Sequence, residues 1–264
     1  MQIRFSFLLG VLLAFGPLAN GLRADSFIVP FTTGVVEREV FSFTEFDTQF
    51  TITDLGDSEI TAAFQFFDAS GIPAEVQARD VNGIPVVLPH IRPGGYACLQ
   101  VSSQGNESKA GWMMISTSGP ASVRVSTDYA HVDTSEPPST LRGRYLLARV
   151  GFFPLTLTTR AVAPVQYSAW ESTGVSIVFP SGGENEAHVL LTLKDEEGQT
   201  LGIASVDIVP NGQTTKSLEE LIPGIKNRES AILEVTSDVA VCIFGVFYQR
   251  DPLLYSEIRF DMGP

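Results

Sequence analysis

The chain has 264 residues, 44% of them hydrophobic, with 17 basic against 30 acidic side chains and a formal net charge of −13. That length exceeds one small sandwich and suits two domains of ordinary size, each able to bury its own core. So acidic a surface repels nucleic-acid phosphates and anionic lipid, so neither is expected as a partner.

The N-terminus reads as a secretory signal over residues 1–24. Arg4 supplies a positive start, and Phe5 to Phe15 is an apolar run too short to span a bilayer. Gly16 and Pro17 break it, and Ala19, Gly21 and Ala24 offer small-residue cleavage sites. A retained anchor is disfavoured because Asp25 and polar segments follow closely. Cleavage after Ala24 removes Arg4 and Arg23, so 15 bases face 30 acids and the charge becomes −15. No later stretch is long and apolar enough for a membrane helix, so no span is expected in the mature chain. The expected location is exported: secreted, periplasmic or cell-surface.

Phe27 to Phe31 reads as an edge strand, where Pro30 is tolerated because an edge amide need not join a ladder. Val40 to Phe46 and Phe50 to Thr53 continue in β-prone residues. Ala62, Phe64 and Phe66 alternate with more polar positions up to Asp68-Ala69-Ser70-Gly71. Aspartate can cap the following amides and glycine supplies the positive φ of a four-residue turn. Glu75 to Ala78 follows, then Asn82-Gly83, read as a two-residue hairpin turn. After Val86-Val87-Leu88 and the Arg92-Pro93-Gly94-Gly95 loop come strands at Cys98–Val101, Trp112–Ser116 and Ala121–Tyr129. Asn106-Glu107-Ser108 is a surface loop with a glycosylation pattern. Val132 to Thr140, with Pro137-Pro138, is a loop inside the first domain, and Tyr145–Val150 is that domain's last strand.

The second half replays this order. Val189, Leu191 and Leu193 alternate with His188, Thr192 and Lys194 up to Asp195-Glu196-Glu197-Gly198. The turns match at an offset of 127 (195 − 68 = 127; 198 − 71 = 127). Pro210-Asn211-Gly212 answers Pro93-Gly94-Gly95 at an offset of 117 (210 − 93 = 117). The first copy therefore carries about ten extra residues around Asn82-Gly83, an insertion a hairpin tip tolerates. Ala231–Val235 and Val239–Phe247 answer the last strands, with Tyr248 matched to Tyr129. Ser217-Leu218-Glu219-Glu220 is a capping box, predicting one helical turn that Pro223-Gly224 stops. The predicted fold is all-β: two tandem antiparallel sandwiches of the immunoglobulin or fibronectin kind over 25–154 and 155–264, with a short helical turn in the second.

Candidate sites are sparse. Cys98 and Cys242 are the only cysteines, and an exported chain permits a disulfide clamping the domains. Against this, Cys242 aligns with Val123 and fits a small buried apolar residue. Phe67, Trp112 and Trp170, with Phe152 and Phe153, could form a ring platform for sugars or a protein. Phe67 is the most suggestive, because its counterpart Lys194 faces solvent. The acidic turns Asp54/Asp57/Glu59 and Asp195/Glu196/Glu197 lack the alternating pattern of a calcium loop and read as solvated turns. His90, His131 and His188 are scattered and read as strand ends, and no catalytic or metal motif is present. No catalytic residue, metal or cofactor is expected.

Gly174-Val175-Ser176-Ile177 with Pro180, Leu193 to Gly198, Val209 to Gly212 and Leu218 to Gly224 together give the second copy a character that the first shares more weakly. On these residues the chain resembles a group of secreted bacterial proteins with tandem immunoglobulin-like repeats. The resemblance implies the fold and export, and it brings no activity and no functional residue. The expected role is a non-enzymatic structural, adhesive or interaction module whose partner is a protein or glycan at the cell exterior. The alternative is a carbohydrate-binding module using exposed aromatics.

Overall fold

The computed structural model describes residues 25–39, 42–103, 108–133, 143–168, 171–181, 183–225, 228–250, 253–258 and 260–262. Residues 1–24, read above as a secretory signal, lie outside them, as do Trp170 and the Pro137-Pro138 stretch. The fold is all-β and antiparallel, with one short helix.

The N-terminal sandwich contains β1 (Ser26–Glu39), β2 (Ser42–Asp54), β3 (Ile60–Asp68), β4 (Val76–Arg79), β5 (His90–Ile91), β6 (Tyr96–Ser103), β7 (Lys109–Thr117), β8 (Ala121–Asp133) and β9 (Gly143–Phe152). Strand β1 belongs to both layers. Ser26 to Thr33 pair with β7, and Gly34 to Glu39 turn over to pair with β2. One layer is thus β1-β7-β3-β5 and the other β4-β6-β2-β8-β9. Pro30 sits in the edge strand of the first layer, paired with β7 on one side only, where its missing amide is tolerated. Between the layers lie Val29, Phe31, Phe50, Ile52, Ile60, Met113, Ile115, Val123 and Val125, all buried. Phe50 meets Phe64 edge-on, and Phe31 meets Phe66 edge-on.

The C-terminal sandwich contains β10 (Leu157–Tyr167), β11 (Glu171–Val178), β12 (Ala187–Lys194), β13 (Thr200–Ile208), β14 (Gln213–Ser217), the helix α1 (Leu218–Leu221), β15 (Arg228–Arg250), β16 (Leu253–Ile258) and β17 (Asp261–Met262). The two strands expected around Ala231–Val235 and Val239–Phe247 are one continuous β15. Its first part pairs with β10 and β12, its second with β11 and β16. Strand β12 buries Ala187, Val189, Leu191 and Leu193 and turns His188 and Leu190 outward, the alternation its sequence predicts. The capping box forms: Ser217 Oγ accepts the Glu220 amide while the Glu220 carboxylate accepts the Ser217 amide at 2.7 Å.

Strand pairings recur between the halves. Trp112 lies between Pro30 and Phe67, and Ile232 between Pro164 and Lys194. Thr53 pairs with Tyr96 and Ser122 as Val178 pairs with Gln213 and Cys242. One buried contact marks the correspondence. Thr48 Oγ1 accepts the Thr32 amide at 3.0 Å and donates to its carbonyl at 2.9 Å; Thr173 does the same to Gln166 at 3.2 and 3.1 Å. Each threonine ties its strand to the first strand of its own sandwich.

This register corrects two expected equivalences. Cys242 corresponds to Ser122 (242 − 122 = 120), not Val123, and Tyr248 corresponds to Asp128 (248 − 128 = 120), not Tyr129. A one-residue slip moves a side chain to the opposite face of the sheet.

The turn at Asn82-Gly83 also differs from expectation. It is a four-residue turn opened by Asp80: Asp80 N–H donates to Ile84 O, and Gly83 N–H to Asp80 O, both at 2.9 Å. Asp68-Gly71-Ile72 and Asp195-Gly198-Gln199 form the same pair of bonds. Gly71, Gly83 and Gly198 have φ of 79°, 78° and 80°. Each aspartate carboxylate also accepts the amide four residues on. Burial alone would raise the Asp68 carboxyl, but the Ser70 hydroxyl and the Ile72 and Ser70 amides outweigh it and hold it below its ordinary value.

The three turns give a controlled comparison. A Cβ at Gly83 or Gly198 meets nothing within 4 Å, whereas at Gly71 it would lie 2.2 Å from the Pro210 carbonyl oxygen. Gly83→Ala and Gly198→Ala should each cost about 1–2 kcal/mol, the penalty for an L-residue in left-handed backbone. Gly71→Ala should cost clearly more in chemical denaturation. Equal losses at all three positions would refute the close approach to Pro210.

Candidate functional site

The turn that carries Gly71 is the centre of the seam between the sandwiches. Ala69 O accepts the Gln213 amide at 3.0 Å, so the Asp68–Gly71 turn interlocks with Pro210-Asn211-Gly212. Trp112 Nε1 donates to Asn211 O at 2.7 Å. Asn211 holds φ of 57°, the left-handed value that the third residue of a Val209–Gly212 turn requires, closed by Gly212 N–H to Val209 O. Beside them Leu155 N–H donates to Ile28 O at 2.8 Å. Trp112, Val178 and Cys242 are at most 1% exposed and form a third, smaller core with Ile28, Phe67, Met114 and Leu155.

This geometry decides the predicted ring platform. Phe67 stacks on Trp112 with centroids 4.6 Å apart and planes 17° from parallel. The stack is covered by the C-terminal sandwich, so Phe67 and Trp112 form internal packing and not a ligand surface. Trp170 lies outside the described residues, as does the side chain of Phe152. Phe153 is exposed and lines a groove of about 260 Å³ together with Leu155, Phe244, Ile258 and Phe260 and with the polar Thr156 and Glu257.

The disulfide expectation is also corrected. Cys98 and Cys242 are both free, the first exposed and the second buried in the seam. Burial pushes the Cys242 thiol up to about 12, which leaves it protonated and inert at neutral pH.

Charged groups gather where the sequence showed no motif. Arg149 grips the buried Asp128 carboxylate through two bonds, at 2.6 and 2.7 Å. Glu234 accepts from Lys194 at 2.6 Å and from Arg160 at 2.7 Å, and those partners hold its carboxyl below the usual range. Asp54, expected in a solvated acidic turn, is buried and accepts the Gly56 amide at 2.8 Å. Glu59 of the same turn reaches His90 instead. Among the described residues no group of three or more His, Cys, Asp or Glu is placed to hold a metal ion. The histidine side chain at 131 lies outside the described set.

One concave, polar opening remains. It is a half-open cleft of about 320 Å³ on the outer face of β2, β6 and β8, lined by Gln49, Thr51, Cys98, Gln100, Arg124 and Ser126 with Val81 at its rim. Thr51 pairs with Cys98 on one side and Arg124 on the other, and Gln49 pairs likewise with Gln100 and Ser126. Apart from Cys98, sequence reasoning missed these residues. The available signal was the polar alternation within β6 and β8, which marks an outward face without saying that it is concave.

No protein-family model matches the chain, and no curated protein matches it significantly. Among solved structures it is similar to the crystal structure of Thermotoga maritima 1070, at 15% identity and a TM-score of 0.34, over 40% of this chain and 97% of that one. It is also similar to an anti-sigma factor domain-containing protein from Clostridium clariflavum, at 10% identity and a TM-score of 0.22, over 92% of this chain and 97% of that one. Likenesses this distant carry no functional inference. Among the described residues no helix is long and apolar enough to cross a membrane.

The thiols report the seam. In folded protein one thiol, Cys98, should react with an aromatic disulfide reagent, and the second only on unfolding. Trp112→Ala should cost about 3–5 kcal/mol, as for other buried tryptophans, and should make Cys242 reactive in the folded state. Two reactive thiols in the unaltered folded protein would contradict the buried seam.

His188 gives a pH signature. Its Nδ1 lies 2.7 Å from Asp207 Oδ1, and that hydrogen bond and charge, with Asp238 and Glu186 nearby, raise its pKa above the ordinary 6.5. A raised folded value stabilises the fold below the unfolded pKa, and that contribution is lost as pH rises through the folded one. An NMR titration should place the His188 midpoint above 6.5, and Asp207→Asn should bring it down. A midpoint unmoved by Asp207→Asn would refute the pairing.

Proposed function

We propose that the protein is an exported, non-enzymatic interaction module made of two duplicated immunoglobulin-like sandwiches, acting in adhesion or surface structure. The observation that carries this reading is the seam. Two sandwiches that interlock through reciprocal turns and a buried ring stack present their outer loops at a fixed spacing, which suits a scaffold that displays binding surfaces. The matched registers and the paired threonine contacts support duplication of one ancestral sheet. The insertion in the first copy supports a display role. Its hairpin leaves Val81, Ile84, Val87 and Leu88 exposed, and the second copy has no counterpart to it. Aliphatic side chains held out on a turn are typical of contact surfaces. The basic, then apolar, then small-residue order of residues 1–24 supports export. Glycan recognition, the second reading, no longer rests on Phe67 or Trp112; the polar cleft favours it instead.

Two measurements test this. The mature N-terminus of protein recovered from its host should begin close to Asp25, and a chain retaining residues 1–24 in the cytoplasm would refute export. Immobilised protein lacking residues 1–24 should capture glycans or envelope proteins saturably. A broad hydrolase screen that finds turnover abolished by a single substitution would replace the module reading with an enzyme.

A further inference from the structure

The cleft has an internal control, because its face occurs twice. Cys98, Gln100, Arg124 and Ser126 surround Thr51 and Gln49 as Thr215, Ser217, Phe244 and Val246 surround Ser176 and Gly174. In the C-terminal copy that face is closed upon itself. Gln213 Nε2 donates to Ser176 Oγ at 2.9 Å and to Thr215 Oγ1 at 2.7 Å, and Thr215 Oγ1 donates to Ser176 Oγ at 2.9 Å. Ser217 is spent on the helix cap, and Phe244, in the place of Arg124, packs against the N-terminal core.

In the N-terminal copy the same face is open. Among the described residues, Gln100, Arg124 and Ser126 make no side-chain hydrogen bond or ion pair. Gln49 reaches only Asp47 Oδ2, at a long 3.4 Å, and Thr51 only Cys98 Sγ, at 3.4 Å, an ordinary distance to sulfur. The inserted hairpin, absent from the closed copy, raises Val81 beside this face and makes it a cleft. Two carboxamides, two hydroxyls and one guanidinium converge there without a carboxylate among the lining residues.

The chemistry of the occupant follows from three features. A guanidinium without an ion-pair partner favours an anionic ligand even in a chain of net charge −13, and a carboxylate matches its two-pronged geometry. The central strands β6, β2 and β8 commit their backbone to ladders on both sides, so a peptide cannot add as a strand and recognition falls to side chains. Neutral amides and hydroxyls suit a ligand rich in hydroxyl groups. Tyr96, 71% exposed, stands on the same face two residues before Cys98 and offers a ring for stacking.

We propose that this cleft binds an acidic saccharide, a sugar bearing a carboxylate. Arg124 takes the carboxylate, Gln49, Gln100 and Ser126 take hydroxyl groups, and Tyr96 stacks on the sugar ring. The proposal rests on the reading of the chain as a binding module and adds the ligand class and the site.

The test titrates the whole mature chain with oligogalacturonate, neutral oligogalactose and oligoglutamate, read by calorimetry and by NMR shifts. Oligogalacturonate should bind, perturb residues around Thr51 and Arg124, and weaken as salt rises. Arg124→Gln should weaken it at least tenfold and Gln100→Ala several-fold, with unfolding midpoints unchanged. Thr215→Ala, on the closed copy, should leave binding intact. The proposal fails if oligogalacturonate does not bind at millimolar concentration, if Arg124→Gln leaves its affinity unchanged, or if oligogalactose or oligoglutamate binds as well. Capture of another ligand by the immobilised chain, with no oligogalacturonate binding, would remove this proposal and leave the module reading standing.

Discussion

The indole of Trp112 is the group on which the arrangement of the two sandwiches depends. A tryptophan on the outward face of an edge layer would normally leave much of its ring in water. Here its N–H is satisfied by the Asn211 carbonyl and its ring by Phe67. Burying the ring without that acceptor would strand a donor in an apolar site, at a cost of roughly 1–3 kcal/mol. The acceptor is available because Asn211 adopts left-handed backbone and turns its carbonyl toward the neighbour. Packing and hydrogen bonding therefore require the same relative position of the two halves.

The equivalent place on the C-terminal sandwich shows what the seam demands by lacking it. Ile232 stands for Trp112 and Lys194 for Phe67. Lys194 is held by Glu234, which Arg160 also engages. A face carrying three linked charges keeps its hydration and resists burial by a further domain. The same strand pairing thus yields a docking face in one half and a solvated face in the other: Trp112 and Phe67 stand against Ile232 and Lys194 in one row, and Met114 against Glu234 in the next.

The outer face around Thr51 and Ser176 divides in the same manner. Where Gln213 and Thr215 reach Ser176, the amide nitrogen and the two hydroxyls bond one another, and the Gln213 carboxamide oxygen is buried out of a ligand's reach. Where the corresponding groups are Tyr96 and Cys98, only the Thr51–Cys98 contact forms, and Arg124 takes the place of an aromatic side chain that the other half uses for packing. One backbone plan therefore carries both a sealed face and an open one, and the difference lies in side-chain reach.

Much of the fold was legible from local chemistry. Alternation of apolar and polar residues in β12, aspartate and glycine at the turns, Pro30 at an edge and the capping box at Ser217 each act within a few residues, so their signals survive in the linear chain. What failed did so for reasons of distance. Cys242 is the small buried residue expected, but its place in the seam beside Val178, and not in the core between the layers, depends on a register set by partners more than sixty residues away (242 − 178 = 64). The fates of Phe67 and Trp112 depend on a turn about a hundred residues further on, so their aromatic character pointed to a surface platform that the tertiary structure fills with protein. The cleft was beyond reach for the same reason. Its polar residues are ordinary strand positions in sequence, and only the sheet register and the overhanging hairpin bring them together.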